Sequence, residues 1–215
     1  MHITSRLRRL LRLIISRFSR SMKTVFLTFL IAKFTLRVVA ADSEFECVIT
    51  ADRTTYSVGE VPKVTFRIHN KTDKEVVLVG SLDGSDVGWR FPKCRLEILD
   101  AAGKPVTTPV ARCGNMNPLR TTHFVVVPAG NAFDPFGKGF FGPMQLQGHI
   151  FPITTPGDYT LRFYYTTTTD RVEDYFGDER ALIKASPEIQ HLFERVPKLD
   201  LKSNELKLKF IPKPE

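Results

Sequence analysis

The chain has 215 residues, enough for one domain with a sizeable core or for two small ones. Its net charge of +8 at pH 7 comes from the amino-terminal end, because residues 1–41 hold nine Lys or Arg and no Asp or Glu. Residues 42–215 carry 22 basic and 23 acidic side chains, so the body of the protein is electrically balanced. This balance excludes a basic field that would steer nucleic acids, and we expect no nucleic-acid partner.

The first 41 residues have the composition of a leader. Met22 and Lys23 precede an apolar run, TVFLTFLIA, and Val39-Ala40-Ala41 offers a small-residue cleavage site. The run is shorter than the roughly 20 apolar residues that a membrane-spanning helix needs. We therefore predict a signal peptide and an exported body that is periplasmic, extracellular or envelope-associated.

Residues 1–21 have two interpretations. Their leucines, Ile14 and Phe18 fall at helical spacing among arginines, which is typical of a basic membrane-surface helix or an organellar transit peptide. Alternatively, translation starts at Met22 and the upstream residues belong to an over-long reading frame. Membrane contact is expected only if the leader is retained.

Alternating apolar and polar residues predict a series of strands in the body, because alternate side chains of a strand lie on opposite faces. The predicted strands cover residues 44–50, 63–69, 75–79, 95–99, 122–127, 159–165 and 205–211. A short helix over 186–196, with Ser186 as N-cap and Pro187 at its first position, precedes the last strand. This order of elements predicts an all-β fold, a two-sheet antiparallel sandwich over residues 42–215.

A hairpin is predicted between the second and third cysteines. Residues 95–99 form its first arm, and Asp100-Ala101-Ala102-Gly103 forms the turn, where Gly103 can adopt a positive φ. Residues 104–110 form the second arm. Pro105 and Pro109 remove hydrogen-bond donors from this arm, so we expect it at a sheet edge.

The three cysteines allow one disulfide with one thiol left over. A Cys94–Cys113 bridge would close a loop of about 20 residues and contribute about 3 kcal/mol if the protein is exported. Two buried thiols are the alternative. Cys47 shares the parity of Phe45 and Ile49, so we expect it to be an inert thiol in the core, with its pairing state open.

Two motifs resemble those of bacterial immunoglobulin-like modules. YSVGE at 56–60 followed by VTFRIHN at 64–70 is similar to the entry to their second strand, and also to the BsuPI-type proteinase inhibitor family and macroglobulin-like domains. PGDYTL at 156–161 resembles their penultimate strand, where a tyrosine corner occurs. The resemblance implies an immunoglobulin-like sandwich and specifies fold far better than function. Residues 87–119 are also similar to uncharacterised exported bacterial proteins, which implies no activity.

No sequence motif predicts catalysis or a cofactor. The chain lacks a nucleophile elbow, a phosphate loop and a dinucleotide fingerprint, and its histidines have no two-histidine metal spacing. Asp83, Ser85 and Asp86, with Asp134, could bind calcium weakly, but they lack the spacing and the bidentate glutamate of a known calcium loop. We favour a plain turn there, no metal and no enzymatic activity.

One polar loop is the best candidate for recognition. It contains Arg112, Asn115, Met116, Asn117 and Arg120. It is either a recognition loop or a turn whose asparagines hydrogen-bond their own backbone, and we favour the turn. Trp89 and Phe91 lie upstream and form either a binding platform or a plug of the core, and we expect the plug.

The sequence as a whole predicts a non-enzymatic interaction or structural module of the cell envelope. Its expected partner is another envelope or extracellular protein. One alternative is a proteinase inhibitor-like binding protein, which only the resemblance implies. A second alternative is a membrane-tethered envelope protein that retains its N-terminal segment.

Overall fold

The computed structural model describes residues 44–106, 117–177 and 184–214. The leader lies outside these ranges, as do Arg112, Cys113, Asn115 and Met116 of the predicted loop. The described part of the chain is mostly β, with antiparallel sheets. No helix within it is long and apolar enough to cross a membrane.

Ten short and medium strands make up most of the regular secondary structure of the described residues. They are β1 Phe45–Ala51, β2 Thr55–Ser57, β3 Val64–Asn70, β4 Val76–Val79, β5 Lys93–Leu99, β6 Phe124–Val127, β7 Ala132–Phe133, β8 Gly157–Thr166, β9 Asp200–Lys202 and β10 Leu206–Ile211. One α-helix, α1 Pro187–Glu194, and three 3₁₀ turns, Thr121–His123, Met144–Leu146 and Val172–Tyr175, complete the described elements.

The strands form three sheets around one main core. One sheet has the order β1-β3-β7, a second has β2-β10-β8-β5 with β9 beside β8, and β4 pairs with β6. All pairs are antiparallel except β2 with β10. Phe66 of β3 and Phe163 of β8 meet edge to face with ring centroids 5.0 Å apart, so the first two sheets contribute to the same core. This arrangement is compatible with an all-β sandwich.

Asn70 fixes a bend between β3 and β4. Its side chain is fully buried, and its amide nitrogen donates to the carbonyls of Lys74, Val127 and Pro128 at 2.9–3.1 Å. Its amide oxygen accepts hydrogen bonds from the backbone and the hydroxyl of Thr72. Asn70 begins an Asn-x-Thr glycosylation sequon, but every polar atom of its amide is bonded inside the fold, so it offers no site for a sugar in the folded chain.

A second core lies on the far side of the β4–β6 pair. Val77 and Val79 face it, whereas Leu78, between them on β4, faces the main core. Helix α1 covers this second core with Phe193, and Ser186 caps the helix by accepting a hydrogen bond from the backbone of Ile189 at 3.3 Å. The second core therefore joins the helix to the strands, and the predicted helix is confirmed with its N-cap.

Most predicted strands are confirmed to within two residues, and their buried faces agree with the alternation. In β8, for example, Tyr159, Leu161, Phe163 and Tyr165 are all at most 6% exposed. The structure adds β2, β7 and β9, which have only two or three residues each and were not predicted.

The predicted hairpin is present as far as the described residues extend. Gly103 has φ of 77°, Pro105 bridges to Leu99, and the backbone nitrogen of Val106 donates to the carbonyl of Ile98 at 2.8 Å. Residues 107–110 of the second arm lie outside the described residues. The turn and residues 104–106 of the second arm are therefore confirmed, and the edge position of this arm stays a prediction.

Two tyrosines of β8 form hydrogen bonds through their hydroxyls to backbone outside their own sheet. The hydroxyl of Tyr159 donates to the carbonyl of Thr155, four residues upstream, at 3.0 Å, which is the geometry of a tyrosine corner. The buried hydroxyl of Tyr165 donates to the carbonyl of Val79 at 2.8 Å and accepts from the backbone nitrogen of the same residue. Tyr165 therefore fixes the end of β4 to β8.

Candidate recognition surface

The loop between β4 and β5 buries an arginine beside a more exposed tryptophan. The side chain of Arg90 is 0% exposed, whereas Trp89 is half-buried. The expectation that Trp89 plugs the core stays a prediction, because its burial is only intermediate. Phe91, which was also expected to plug the core, is half-buried and packs against the second core. Its ring centroid lies 5.8 Å from that of Tyr175.

Arg90 is held by three hydrogen bonds of 2.8 Å each. Its Nε donates to the carbonyl of Tyr175, and its Nη1 donates to Asp83 Oδ1 and to the carbonyl of Asn117. Its Nη2 is buried and has no hydrogen-bond partner among the described residues. Burial lowers the pKa of Arg90, and the carboxylate of Asp83 opposes this effect.

The second carboxylate oxygen of Asp83 also contacts Asn117. Oδ2 accepts from the backbone nitrogen of Asn117 at 2.6 Å and lies 3.5 Å from its amide nitrogen. Arg90 and Asp83 thus bind both the carbonyl and the backbone nitrogen of Asn117. We call this arrangement of Asp83, Arg90 and Asn117 the clamp. Asn117 therefore bonds to the loop between β4 and β5, and whether the asparagines also fix their own turn stays a prediction.

His123 extends the polar cluster at the base of β6. Its Nδ1 accepts a hydrogen bond from the backbone nitrogen of Arg120 at 3.0 Å, which requires a lone pair on that nitrogen. Burial lowers the pKa of His123, and the positive charges of Arg90 and Arg120 lower it further, while Asp83 acts in the opposite direction. His123 is therefore neutral near pH 7 and helps to shape the segment that carries Arg120.

The clamp leaves three side chains of different chemistry at the surface. Asn117 and Arg120 are exposed and Trp89 is half-buried. They combine an amide, a guanidinium and an indole, and tryptophan and arginine are enriched among residues that dominate the energy of protein interfaces. Of the predicted recognition residues, the structure connects Trp89, Asn117 and Arg120 through the clamp and its flanking chain. Arg112, Asn115 and Met116 lie outside the described residues.

The acidic residues considered for calcium have separate partners. Asp83 belongs to the clamp, Asp86 accepts from the backbone nitrogen of Met144 at 2.7 Å, and Asp134 pairs with Arg67 at 2.7 Å. Burial raises the pKa of Asp86. Among the residues that the structure describes, no group of three or more His, Cys, Asp or Glu could hold a metal ion.

Two of the three cysteines are buried free thiols in the structure. Cys94 is 0% exposed and Cys47 is 5% exposed, which confirms that both face the core. Burial raises the pKa of Cys47 to about 12 and raises that of Cys94 as well, so neither is a reactive thiolate at neutral pH. Cys113 lies outside the described residues, and the Cys94–Cys113 bridge stays a prediction.

No protein-family model matches the chain, and no curated protein matches it.

Proposed function

We propose that this chain is an exported, non-enzymatic interaction module of the cell envelope. Its immunoglobulin-like sandwich would present Trp89, Asn117 and Arg120 to another envelope or extracellular protein. The clamp is the single observation that carries the proposal. It uses a buried ion pair to set the position of an exposed residue.

The energetics of the clamp support a positioning role. Burying a charged pair costs several kcal/mol per ion in desolvation, and well-packed apolar residues of similar volume often stabilise a fold equally well. Stability alone therefore gives little reason for Arg90 and Asp83. Binding residues are often found on loops that a rigid scaffold positions, and both clamp partners act on the backbone of Asn117.

The sandwich assignment draws on fold and on sequence together. The antiparallel sheets share one core, and Tyr159 makes a tyrosine corner at the motif that resembles the penultimate strand of immunoglobulin-like modules. Export draws on the basic leader, its apolar run and the small residues at 39–41. The absence of a catalytic motif in the sequence supports a binding role over an enzymatic one.

A photo-crosslinking experiment tests the binding surface. A photoreactive residue is placed at Arg120 in the full chain, and at Asp73, in the exposed turn before β4, as the control. We expect one envelope or extracellular protein to be crosslinked from position 120 and not from position 73. Asp83→Asn, checked by circular dichroism to be folded, should reduce this crosslink, because it weakens the clamp and leaves position 120 unchanged. Equal crosslinking from both positions would contradict the proposal.

Export is tested by measuring the intact mass of the protein after cell fractionation, with and without thiol alkylation. We expect a chain that begins near Asp42 and has one alkylatable thiol after unfolding, as the Cys94–Cys113 bridge requires. A full-length chain that stays with membranes through a carbonate wash would support the membrane-tethered alternative. Inhibition in a panel of serine and cysteine proteinases would instead support the inhibitor-like alternative.

A further inference from the structure

An open groove of about 680 Å³ lies on the outer face of the sheet formed by β2, β10, β8 and β5. It lies where β5 ends, between residues 54–55 at one side and the turn 100–103 at the other. Its volume is within the range of about 300–1,000 Å³ that is usual for small-molecule sites. No residue of the recognition surface lines it.

The floor of the groove comes from outward-facing residues of β8 and β10. Lys209 lies directly opposite Asp158, and Lys207 lies directly opposite Thr160, so the four side chains form two adjacent rows on one face. The two lysines are two residues apart on one strand, which separates their Cα atoms by about 7 Å. Thr55 of β2 extends the first row beyond Lys209.

The polar groups of this floor have no partners within the described structure. No hydrogen bond or ion pair joins the ammonium groups of Lys207 and Lys209, the carboxylate of Asp158 or the hydroxyls of Thr55 and Thr160 to any described residue. These groups can therefore bind a ligand without first breaking a contact of the fold.

The other charged residues of the groove are already engaged. Arg162 donates to Glu205 at 2.5 Å and lies 3.5 Å from Glu97, so its charge is balanced by two carboxylates. Asp100 accepts hydrogen bonds from the backbone of residues 102 and 104 within its own turn. Two ammonium groups and one carboxylate thus have no hydrogen bond or ion pair among the described residues, although the charge of Lys207 also acts on Glu205. Hydroxyls lie between them.

This set of groups fits an anion that also carries hydroxyls. The ammonium groups attract negative charge, while Asp158 can accept hydrogen bonds from ligand hydroxyls and repels ligands of high anionic density. Nucleic acid fits poorly, because single strands bind through exposed aromatic rings and the one aromatic residue of the groove, Tyr159, is 6% exposed. An acidic sugar chain has the required combination, with carboxylates separated by hydroxyl-bearing rings.

We propose that the groove binds acidic oligosaccharides, with Lys207 and Lys209 contacting sugar carboxylates and Asp158 and Thr160 contacting sugar hydroxyls. The site is independent of the recognition surface. Arg90 precedes the start of β5 and the groove lies at its end, and a strand of seven residues spans about 20 Å. The chain would therefore hold a protein at one end of this sheet and a glycan at the other.

Calorimetric titration of the full chain with tetragalacturonate tests the site. We expect saturable binding that weakens as salt is added, since the lysines are exposed. Lys207→Ala/Lys209→Ala should weaken binding at least tenfold. Lys63→Ala/Lys74→Ala is the matched control, because it removes two other exposed lysines and the same total charge, and it should leave the affinity within twofold.

Two further ligands separate sugar recognition from simple ion binding. Neutral maltotetraose should bind at least tenfold more weakly than tetragalacturonate, and citrate, an anion without sugar rings, should also bind at least tenfold more weakly. Asp158→Ala should weaken tetragalacturonate binding and strengthen citrate binding, because it removes both an acceptor and a negative charge. Equal binding of citrate, or full affinity of Lys207→Ala/Lys209→Ala, would overturn the proposal.

Discussion

We expect the two charged residues of the clamp to differ in how much their substitution lowers the free energy of unfolding. Asp83→Asn keeps the size and one acceptor oxygen of the side chain but leaves the guanidinium of Arg90 without a counter-charge. Arg90→Met removes the positive charge and leaves the carboxylate of Asp83 alone. Because Arg90 is 0% exposed and Asp83 is 18% exposed, only the carboxylate can regain contact with water.

The difference in exposure sets the expected magnitudes. Leaving a buried charge unpaired costs about 3–5 kcal/mol, and we expect this cost for Asp83→Asn. Arg90→Met should cost less, about 2–3 kcal/mol, mainly because the carbonyls of Tyr175 and Asn117 lose their donor. The double variant should cost clearly less than the sum, since removing both charges leaves neither unpaired.

Urea unfolding followed by circular dichroism measures these free energies through linear extrapolation. Fluorescence of Trp89, the only tryptophan, gives a second probe next to the clamp. A larger cost for Arg90→Met than for Asp83→Asn would refute the reasoning. So would additive costs in the double variant, because additivity would mean that the two charges do not depend on each other.

Three further substitutions test other parts of the structure. Asn70→Asp should destabilise the fold by about 3 kcal/mol or more in urea unfolding, because a carboxylate oxygen would face three carbonyls. Gly80→Ala should lower the melting temperature, at a cost of about 1–3 kcal/mol, because its Cβ would lie 2.1 Å from the ring of Phe140. Gly142→Ala, with open space around it, is the control and should be close to neutral. The pKa of His123 is lowered by folding, so the unfolded chain binds its proton more readily and stability should fall as pH drops below about 6.5. His123→Gln should reduce this loss in unfolding curves measured between pH 7 and pH 5.

Alternation identifies the long strands because one physical rule controls them. A strand that is buried on one face must place apolar residues at every second position, and β5 as far as Ile98 and β8 from Tyr159 to Tyr165 bury their side chains in this way. β2, β7 and β9 are too short to show a period. Their pairing depends on neighbours that are distant in sequence, such as β10 beside β2, so no local pattern could reveal them.

The clamp could not be predicted either, because its partners are also distant in sequence. Composition and side-chain chemistry favour Trp89 over Arg90 for burial, because tryptophan buries a large apolar surface and arginine is seldom fully buried without a partner. The structure reverses this order because the partners of Arg90 come from residues 7, 27 and 85 positions away. Only the fold brings Asp83, Asn117 and the carbonyl of Tyr175 to one guanidinium.

The clamp and the predicted disulfide would act on the same segment of the chain. The clamp holds Asn117, and a bridge to Cys94 would hold Cys113, only four residues earlier, at the start of β5. Cys94 already contacts the loop between β4 and β5 that carries Asp83 and Arg90, since its backbone nitrogen donates a hydrogen bond to the carbonyl of Ser85 at 2.9 Å. Oxidation in an exported chain would therefore add a covalent restraint beside an electrostatic one, which suits a rigid recognition surface. The number of alkylatable thiols in the unfolded chain tests for the disulfide. One free thiol means that both the clamp and the disulfide restrain this segment, whereas three free thiols mean that only the clamp does.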